Sequence, residues 1–201
     1  MKHPRLMWFL TLLLALAGAA AAQKPFVPAG PAVLEYESVS GGNTFRCVFR
    51  IQAVAPDLRV EWEEDFKLGA FIVPAKVLEE SREFLRRSAL ANGREVVMKS
   101  TVLVLGRELF DAVARGEKAV LKIQGVEGWL QKDGAKVYEI DGMSLPALVC
   151  RDNIDRTYVF QDCREFPLLL EYQTPHYHER LSRTFEGPKV IFRWFKTKPA
   201  K

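Results

Sequence analysis

The sequence contains few residues of the kinds that carry out chemistry. Among 201 residues there are three cysteines and three histidines. It contains no Gly-x-Ser-x-Gly elbow, no phosphate-binding Gly-rich loop and no dinucleotide fingerprint. These absences argue against the hydrolases, P-loop proteins and dinucleotide-dependent oxidoreductases that carry such motifs. We therefore predict a non-catalytic protein that uses no cofactor.

The chain also lacks a hydrophobic run of the roughly 20 residues that a membrane-spanning helix needs. Its apolar run at 7–17 is shorter, follows Lys2 and Arg5, and leads into Ala20-Ala21-Ala22. A basic start, an apolar stretch and small residues in this order are typical of a cleavable export signal. We predict cleavage near Ala22, a periplasmic or extracellular location, and no integral membrane segment.

A concentrated charge of one sign is missing as well. The formal net charge is +4, and basic residues alternate with acidic ones, as in 79–87. A nucleic-acid interface needs a clustered basic face. The sequence therefore predicts no nucleic-acid partner and a solvated surface of mixed charge.

The layout after the signal predicts one domain. Residues 23–32 form a Pro-rich lead-in, 33–197 a single β-rich domain and 198–201 a tail. Strand signals outnumber helix signals, and most connections have the length of hairpin loops, which favours antiparallel pairing. The predicted fold class is α+β, mainly antiparallel β, with a large curved sheet or partial barrel and two short helices.

Several elements are specific enough to be checked. We expect helices over 75–87 and 106–115, the second ending at Gly116. Residues 95–105 read as a strand whose apolar end lies centrally in the sheet. The pair Asp133-Gly134 predicts a tight hairpin, and 190–195 predicts a final strand.

The three cysteines separate into one thiol and one candidate pair. Alternation around Cys47 places it on the apolar face of a strand, which predicts a buried thiol. Its alternative role as a nucleophile requires exposure and a lowered pKa. Cys150 and Cys163 flank a polar stretch, so a hairpin there predicts a disulfide between them.

His176 and His178 are the candidate metal ligands. On an extended strand, His-x-His places both imidazoles on one face, about 7 Å apart. A metal would need a third ligand from elsewhere. Glu179 points to the opposite face of such a strand, and surface imidazoles after Pro175 are the alternative.

Acidic residues offer two further patterns. Asp152 to Asp155 resembles the start of a calcium loop but lacks the required glycine and bidentate acid, so a polar hairpin tip is favoured. Glu61 and Glu63 lie on the outer face of a strand. A glycosidase pair faces across a cleft, which favours a solvated role for both.

Apolar and aromatic residues provide the remaining clue to function. On a curved sheet they can line a cavity for a lipid, whereas on a closed sandwich they would form the core. Five positions are candidates for such a ligand-binding face: Trp62, Phe71, Leu169, Phe192 and Trp194.

Two stretches resemble a known class of proteins. Residues 158–162 running into 166–172, and 102–110 followed by Gly116, are similar to pieces of uncharacterised secreted bacterial β-rich domains. The layout of 33–195 more distantly resembles periplasmic half-barrels of the lipoprotein-carrier type. That resemblance implies an envelope location and a concave apolar face that binds acyl chains.

Three functional hypotheses follow. The first is a non-catalytic exported protein that binds a lipid or other apolar ligand on a curved sheet, with burial of hydrocarbon as the driving force. The second is an envelope protein-interaction or structural module that uses an exposed strand edge or apolar patch. The third is a metal-dependent hydrolase built on His176 and His178.

Overall fold

The computed structural model describes residues 24–186. The predicted export signal, the strand 190–195 and the tail lie outside the described residues, as do Phe192 and Trp194. Neither helix within 24–186 is long and apolar enough to cross a membrane.

Thirteen strands and two helices make up this part of the chain. In chain order they are β1 (Ala32–Ser40), β2 (Asn43–Ala53), β3 (Leu58–Glu64), β4 (Lys67–Val73), α1 (Ala75–Glu80), β5 (Glu83–Leu85), β6 (Glu95–Val97), β7 (Thr101–Val102), α2 (Arg107–Ala114), β8 (Ala119–Ile123), β9 (Val126–Ile140), β10 (Met143–Asp152), β11 (Thr157–Gln161), β12 (Leu169–Thr174) and β13 (Tyr177–Glu186). A single 3-10 turn, Arg87–Ala89, lies between β5 and β6.

All thirteen strands belong to one open sheet with the order β6-β4-β3-β2-β1-β13-β12-β11-β10-β9-β8-β5-β7. Every neighbouring pair from β4 to β8 is antiparallel. Parallel pairing occurs only at the two ends of the sheet, where β6 joins β4 and where β5 joins β7 and β8. The predicted α+β class, with a large curved antiparallel sheet and two short helices, is confirmed.

The chain between β4 and β7 draws the two ends of the sheet towards each other. It leaves β4 at one end, pairs β5 with β8 at the other, returns to pair β6 with β4, and crosses again to pair β7 with β5. Only residues 98–100 connect β6 to β7, and four residue steps span at most about 14 Å. The sheet therefore curls strongly although it does not close.

Alternating apolar residues supply two core clusters. The first packs the inner face of β1–β4 against β9–β13, and the second packs α2 against β8–β12. In β3 the alternation is clear, because Leu58, Val60 and Trp62 are all buried. Helix α2 contributes Leu109, Phe110 and Val113 to the second cluster, and Gly116 follows its end as predicted.

The predicted helix 75–87 is wrong beyond Glu80. The Ser81 hydroxyl accepts a hydrogen bond from the Glu83 amide and donates one to the Glu83 carbonyl, at 3.2 and 3.0 Å. The chain then extends as β5 and buries Phe84 in the second core cluster. Pairing with β7 and β8 outweighed the helical pattern of this segment.

The predicted strand 95–105 is also wrong in part. It divides into β6 and β7, which lie at opposite edges of the sheet, and Leu103 adopts a positive φ of 66°. Leu103 and Leu105 bond to the chain at the start of β12: the Leu105 N–H donates to the Pro167 carbonyl at 3.0 Å, and the Leu103 carbonyl accepts from the Leu169 N–H at 2.7 Å. Burial on both sides explains the apolar run without a central strand.

Asp133-Gly134 does not form a hairpin, because β9 runs through it. The pairing of β9 with β10 shifts by one residue there, and Gly134 has a φ of 151°, so the pair forms a bulge. Tight turns lie at Gly41-Gly42, Gln124-Gly125 and Asp141-Gly142, where both residues have positive φ. Positive φ at both positions is the geometry of two-residue hairpin turns.

Candidate functional site

The described residues of the predicted ligand-binding face do not form one open face. Trp62 and Phe71 are buried in the first core cluster, and Leu169 is buried in the second. These three side chains therefore serve as core. Binding of an acyl chain on the inner face stays a prediction, because Phe192 and Trp194 lie outside the described residues.

The two histidines do not share a strand face, which corrects the predicted metal geometry. The chain turns between Thr174 and Tyr177, so His176 occupies the turn and only His178 lies on β13. His178 Nε2 lies 2.9 Å from Glu171 Oε1, and Lys136 Nζ lies 2.6 Å from Glu171 Oε2. No group of three potential metal ligands occurs within residues 24–186.

Glu171 thus has two side-chain partners, Lys136 and His178. Partial burial acts to raise the pKa of this carboxyl, but the hydrogen bonds from Lys136 and His178 outweigh it and leave the pKa below its usual value.

The predicted Cys150–Cys163 disulfide is absent, and all three cysteines are buried free thiols. Cys150 lies opposite Tyr158, whereas the Asp162 amide, one residue before Cys163, donates to Pro146 at 2.7 Å. Four residues along a strand correspond to about 13 Å, well beyond the roughly 7 Å between Cα atoms that a disulfide tolerates. The sequence correctly indicated a hairpin but not its register.

The Cys47 thiol has the properties predicted for a buried residue. Burial raises its pKa to about 12, and the nearby Arg87 only partly opposes this effect. A thiol with so high a pKa is protonated at neutral pH and is a poor nucleophile. Burial likewise raises the pKa of Cys150 to about 12.

Both carboxylate oxygens of Asp152 accept hydrogen bonds from residues of the turn that follows it. Its Oδ1 accepts the amides of Ile154 and Arg156, each at 3.0 Å. Its Oδ2 accepts from Arg156 Nε at 2.5 Å and from the Tyr158 hydroxyl at 3.2 Å. The hairpin-tip interpretation is therefore confirmed over the calcium loop.

The Glu61 and Glu63 pair also has no catalytic geometry. Glu63 Oε2 accepts a hydrogen bond from Arg50 Nη2 at 3.3 Å on the neighbouring strand. Burial raises the pKa of Glu61 above its usual value, and Arg50 partly opposes that effect.

A buried ion cluster formed by Arg87, Glu64 and Glu179 was missed by the sequence reasoning. Arg87 Nη1 lies 3.0 Å from Glu64 Oε1 without the alignment of a hydrogen bond, and Arg87 Nε lies 3.4 Å from Glu179 Oε1. Arg87 Nη2 donates to the Tyr177 hydroxyl at 3.0 Å and to the Ser38 hydroxyl. The one sequence signal for this cluster was the adjacent pair Arg86-Arg87, but these residues lie in the segment 75–87 that was predicted to be a helix.

In the ion cluster, the acidic partners of Arg87 compensate for the burial of its positive charge. Burial acts to lower the pKa of Arg87, but Glu179, Tyr177 and Glu64 outweigh it and raise the pKa. The Tyr177 hydroxyl donates to Glu179 Oε2 at 2.6 Å. The Arg86 guanidinium stacks over Tyr172 and Tyr177, 4.1 and 4.6 Å from the ring centres. The cluster thus ties the 3-10 turn to β3 and β13.

Five hairpins close at the same end of the sheet, because every second connection of an antiparallel meander lies on the same side. We call this the hairpin end, and its turns are 41–42, 65–66, 124–125, 153–156 and 175–176.

The hairpin end carries exposed apolar side chains. Phe66, at the tip of the β3–β4 turn, is fully exposed at 101%. Ile154 and Val126, in or beside two other turns, are 61% and 68% exposed. Val39 and Phe45, close to the β1–β2 turn, are exposed to a smaller degree. Apolar residues in separate exposed tips are available to contact a hydrophobic phase.

Exposed cations accompany the most prominent tip. Lys67 follows Phe66 directly and is exposed. Arg94 is exposed in the loop whose Gly93 amide donates to Leu68 at 2.7 Å, beside the same turn. Asp65 is the acidic neighbour of Phe66. The tip therefore combines an aromatic ring with two basic side chains, and Asp65 and the exposed Glu95 are their acidic neighbours.

Comparisons with known proteins give one partial similarity. A stretch of 66 residues is 42% identical to 3-deoxy-manno-octulosonate cytidylyltransferase of Porphyromonas gingivalis (strain ATCC BAA-308 / W83). The match covers 31% of this chain and 26% of that relative, so the chain spans about a quarter of the relative's length. No protein-family model matches the chain. No solved structure matches it.

Proposed function

We propose that the protein is a non-catalytic binding protein that attaches reversibly to the surface of a lipid bilayer through its hairpin end. The single observation that carries this proposal is the complete exposure of Phe66 at a hairpin tip. The proposal keeps the predicted lipid partner. It moves the contact from the inner face of the sheet to the outer tips.

The energetic argument begins with Phe66. Because the ring has no protein contact to lose, nearly its whole apolar surface is available for burial in the bilayer interface. Burying such a side chain is worth about 1.5–3 kcal/mol. Ile154 and Val126 would add smaller increments if the same membrane contact reaches their hairpins. The sum corresponds to weak, reversible attachment rather than permanent insertion.

The basic residues beside the tip favour an anionic surface. A lysine or arginine close to a membrane that contains anionic lipid gains about 1 kcal/mol. Lys67 and Arg94 supply two such charges, and Asp65 and the exposed Glu95 offset part of the gain. Attachment should therefore be stronger on anionic than on neutral vesicles and should weaken as the salt concentration rises.

The ion cluster holds the base of the β3–β4 turn in place through Glu64. Glu64, which lies immediately before the turn at Asp65-Phe66, contacts Arg87 at 3.0 Å. Glu64 also pairs with Lys67 across the hairpin. A turn fixed in this way presents Phe66 without ordering a loop on binding, so less conformational entropy is lost.

The test is co-sedimentation with vesicles of 70% phosphatidylcholine and 30% phosphatidylglycerol. The N-terminus of the purified protein is first read by intact mass, because the predicted export signal is itself apolar. We expect Phe66→Ser to lower the partition coefficient by roughly 10–150-fold, the equivalent of about 1.5–3 kcal/mol. Phe185→Ser is the matched control, since Phe185 is an exposed aromatic residue near the opposite end of β13.

Two results would contradict the proposal. One is a parent protein that does not sediment with these vesicles at low salt. The other is an equal loss of binding in Phe66→Ser and Phe185→Ser, which would indicate contact that does not depend on the hairpin end.

A further inference from the structure

A surface groove lies where β5 meets β8, separate from the inner face of the sheet. Its volume is about 430 Å³, and it is open to solvent. Its walls contain three basic residues, two acidic residues and an exposed valine. The basic residues are Arg82, Lys99 and Lys122, the acidic ones are Glu83 and Glu127, and the valine is Val120.

Within residues 24–186, part of the β8 edge along this groove has no partner strand. Five residues of β8 pair with β9, but only Lys122 and Ile123 pair with β5. The Lys122 amide donates to Arg82 at 2.7 Å on the β5 side. Because amide directions alternate along a strand, Val120 also turns its N–H and C=O groups to that side. Strand β5 begins at Glu83 and leaves the space beside Val120 open.

The net positive charge of the groove favours an acidic partner. Arg82, Lys99 and Lys122 are exposed, and no carboxylate within the described part of the chain lies within 4.0 Å of their cationic nitrogens. Glu83 and Glu127 leave the lining with a net positive charge. The chain's own segment 187–201 carries five basic residues and no acidic residue, so it does not complement this surface.

We propose that this groove binds an acidic segment of a partner protein in an extended conformation. The segment would add a short strand beside Val120, with its carboxylates near Lys99 and Lys122 and an apolar side chain against the exposed valine. Main-chain hydrogen bonds would supply affinity and the basic residues selectivity, as in other cases of strand addition. This proposal does not rest on lipid attachment at the hairpin end.

Fluorescence anisotropy tests the proposal with a labelled peptide of about ten residues built on the repeat Glu-Thr-Val-Thr, which presents Glu and Val in turn on one face of an extended chain. We expect saturable binding that weakens at least tenfold in the Lys99→Glu/Lys122→Glu double variant. Arg59→Glu reverses an exposed charge on β3, outside the groove, and should change the affinity less than twofold. Hydrogen exchange of the Val120 amide should slow when the peptide binds.

Several outcomes would overturn the assignment. One is the absence of saturable binding up to about 1 mM peptide at low salt. Another is equal affinity of the double variant and its parent for the peptide. A third is hydrogen exchange that slows at other amides on peptide binding but not at Val120. Equally tight binding of a labelled oligothymidylate with the same charge would also overturn it, because it would show only non-specific attraction of anions.

Discussion

Replacing Arg87 tests the buried ion cluster, the feature that sequence reasoning missed. The side chains of Arg87 and Glu179 are 8% and 7% exposed, and that of Glu64 is 21% exposed. Arg87→Ala would leave two largely buried carboxylates without their main partner. Removing one member of a buried ion pair costs about 3–5 kcal/mol, mostly because the remaining charge is uncompensated.

We expect the lower part of that range for this cluster. Glu179 keeps the hydrogen bond from Tyr177 at 2.6 Å and lies 3.7 Å from Arg86. A loss of about 3 kcal/mol with a urea m-value of about 2 kcal/mol per M lowers the unfolding midpoint by about 1.5 M. Urea unfolding followed by circular dichroism measures that shift directly.

A surface pair of similar geometry provides the control. Arg115 Nε lies 2.6 Å from Glu117 Oε1, but both side chains are more than half exposed, at 61% and 54%. We expect Arg115→Ala to leave the midpoint unchanged, because exposed pairs are screened by water and salt. Adding Glu179→Gln to Arg87→Ala should restore part of the lost stability by removing an uncompensated charge. Equal midpoints for Arg87→Ala and Arg115→Ala would refute the reasoning.

Three further predictions concern other parts of the molecule. All three thiols should resist Ellman's reagent in the native protein and react after unfolding without reductant; a protein that needs reductant to expose three thiols would contradict the free cysteines. The pKa of Glu171 is lower in the folded than in the unfolded chain, so its stabilising contribution is fully present above its unfolded pKa of about 4.3 and is lost as the pH falls through the folded value. Glu171→Gln should therefore flatten the acid limb of a stability–pH profile, and an unchanged limb would refute this. Gly134→Ala should destabilise the folded protein by about 1 kcal/mol or more, because φ at Gly134 is 151°. Gly30→Ala should not, because Gly30 has open space around it and no positive φ. Similar urea midpoints for the two variants would contradict the bulge.

Local alternation predicted the strands and their buried faces well. Leu58, Val60 and Trp62 alternate with polar residues, and no competing pattern covers that stretch. Helix α2 was predicted correctly because its three apolar residues recur at helical spacing and Gly116 follows its end. In these elements the local pattern and the tertiary environment agree.

Long-range pairing accounts for what the sequence could not predict. Phe84 fits a helical pattern as well as a strand, and only its pairing with β7 and β8 decides between them. Cys150 and Cys163 flank a hairpin whose register depends on contacts outside the hairpin. The burial of Arg87 depends on β3 and β13, more than 20 residues away in either direction.

Attachment of the hairpin end to a lipid surface is the central functional proposal, and a fluorophore at position 66 tests it most directly. Because the three native thiols are buried, Phe66→Cys would present the accessible thiol for an environment-sensitive label, with Phe185→Cys as the control. With vesicles containing phosphatidylglycerol, we expect the label at 66 to brighten, shift to shorter wavelength and be quenched by lipid-borne quenchers, while the label at 185 stays unchanged. No change at 66, or equal changes at both positions, would contradict attachment through the hairpin end.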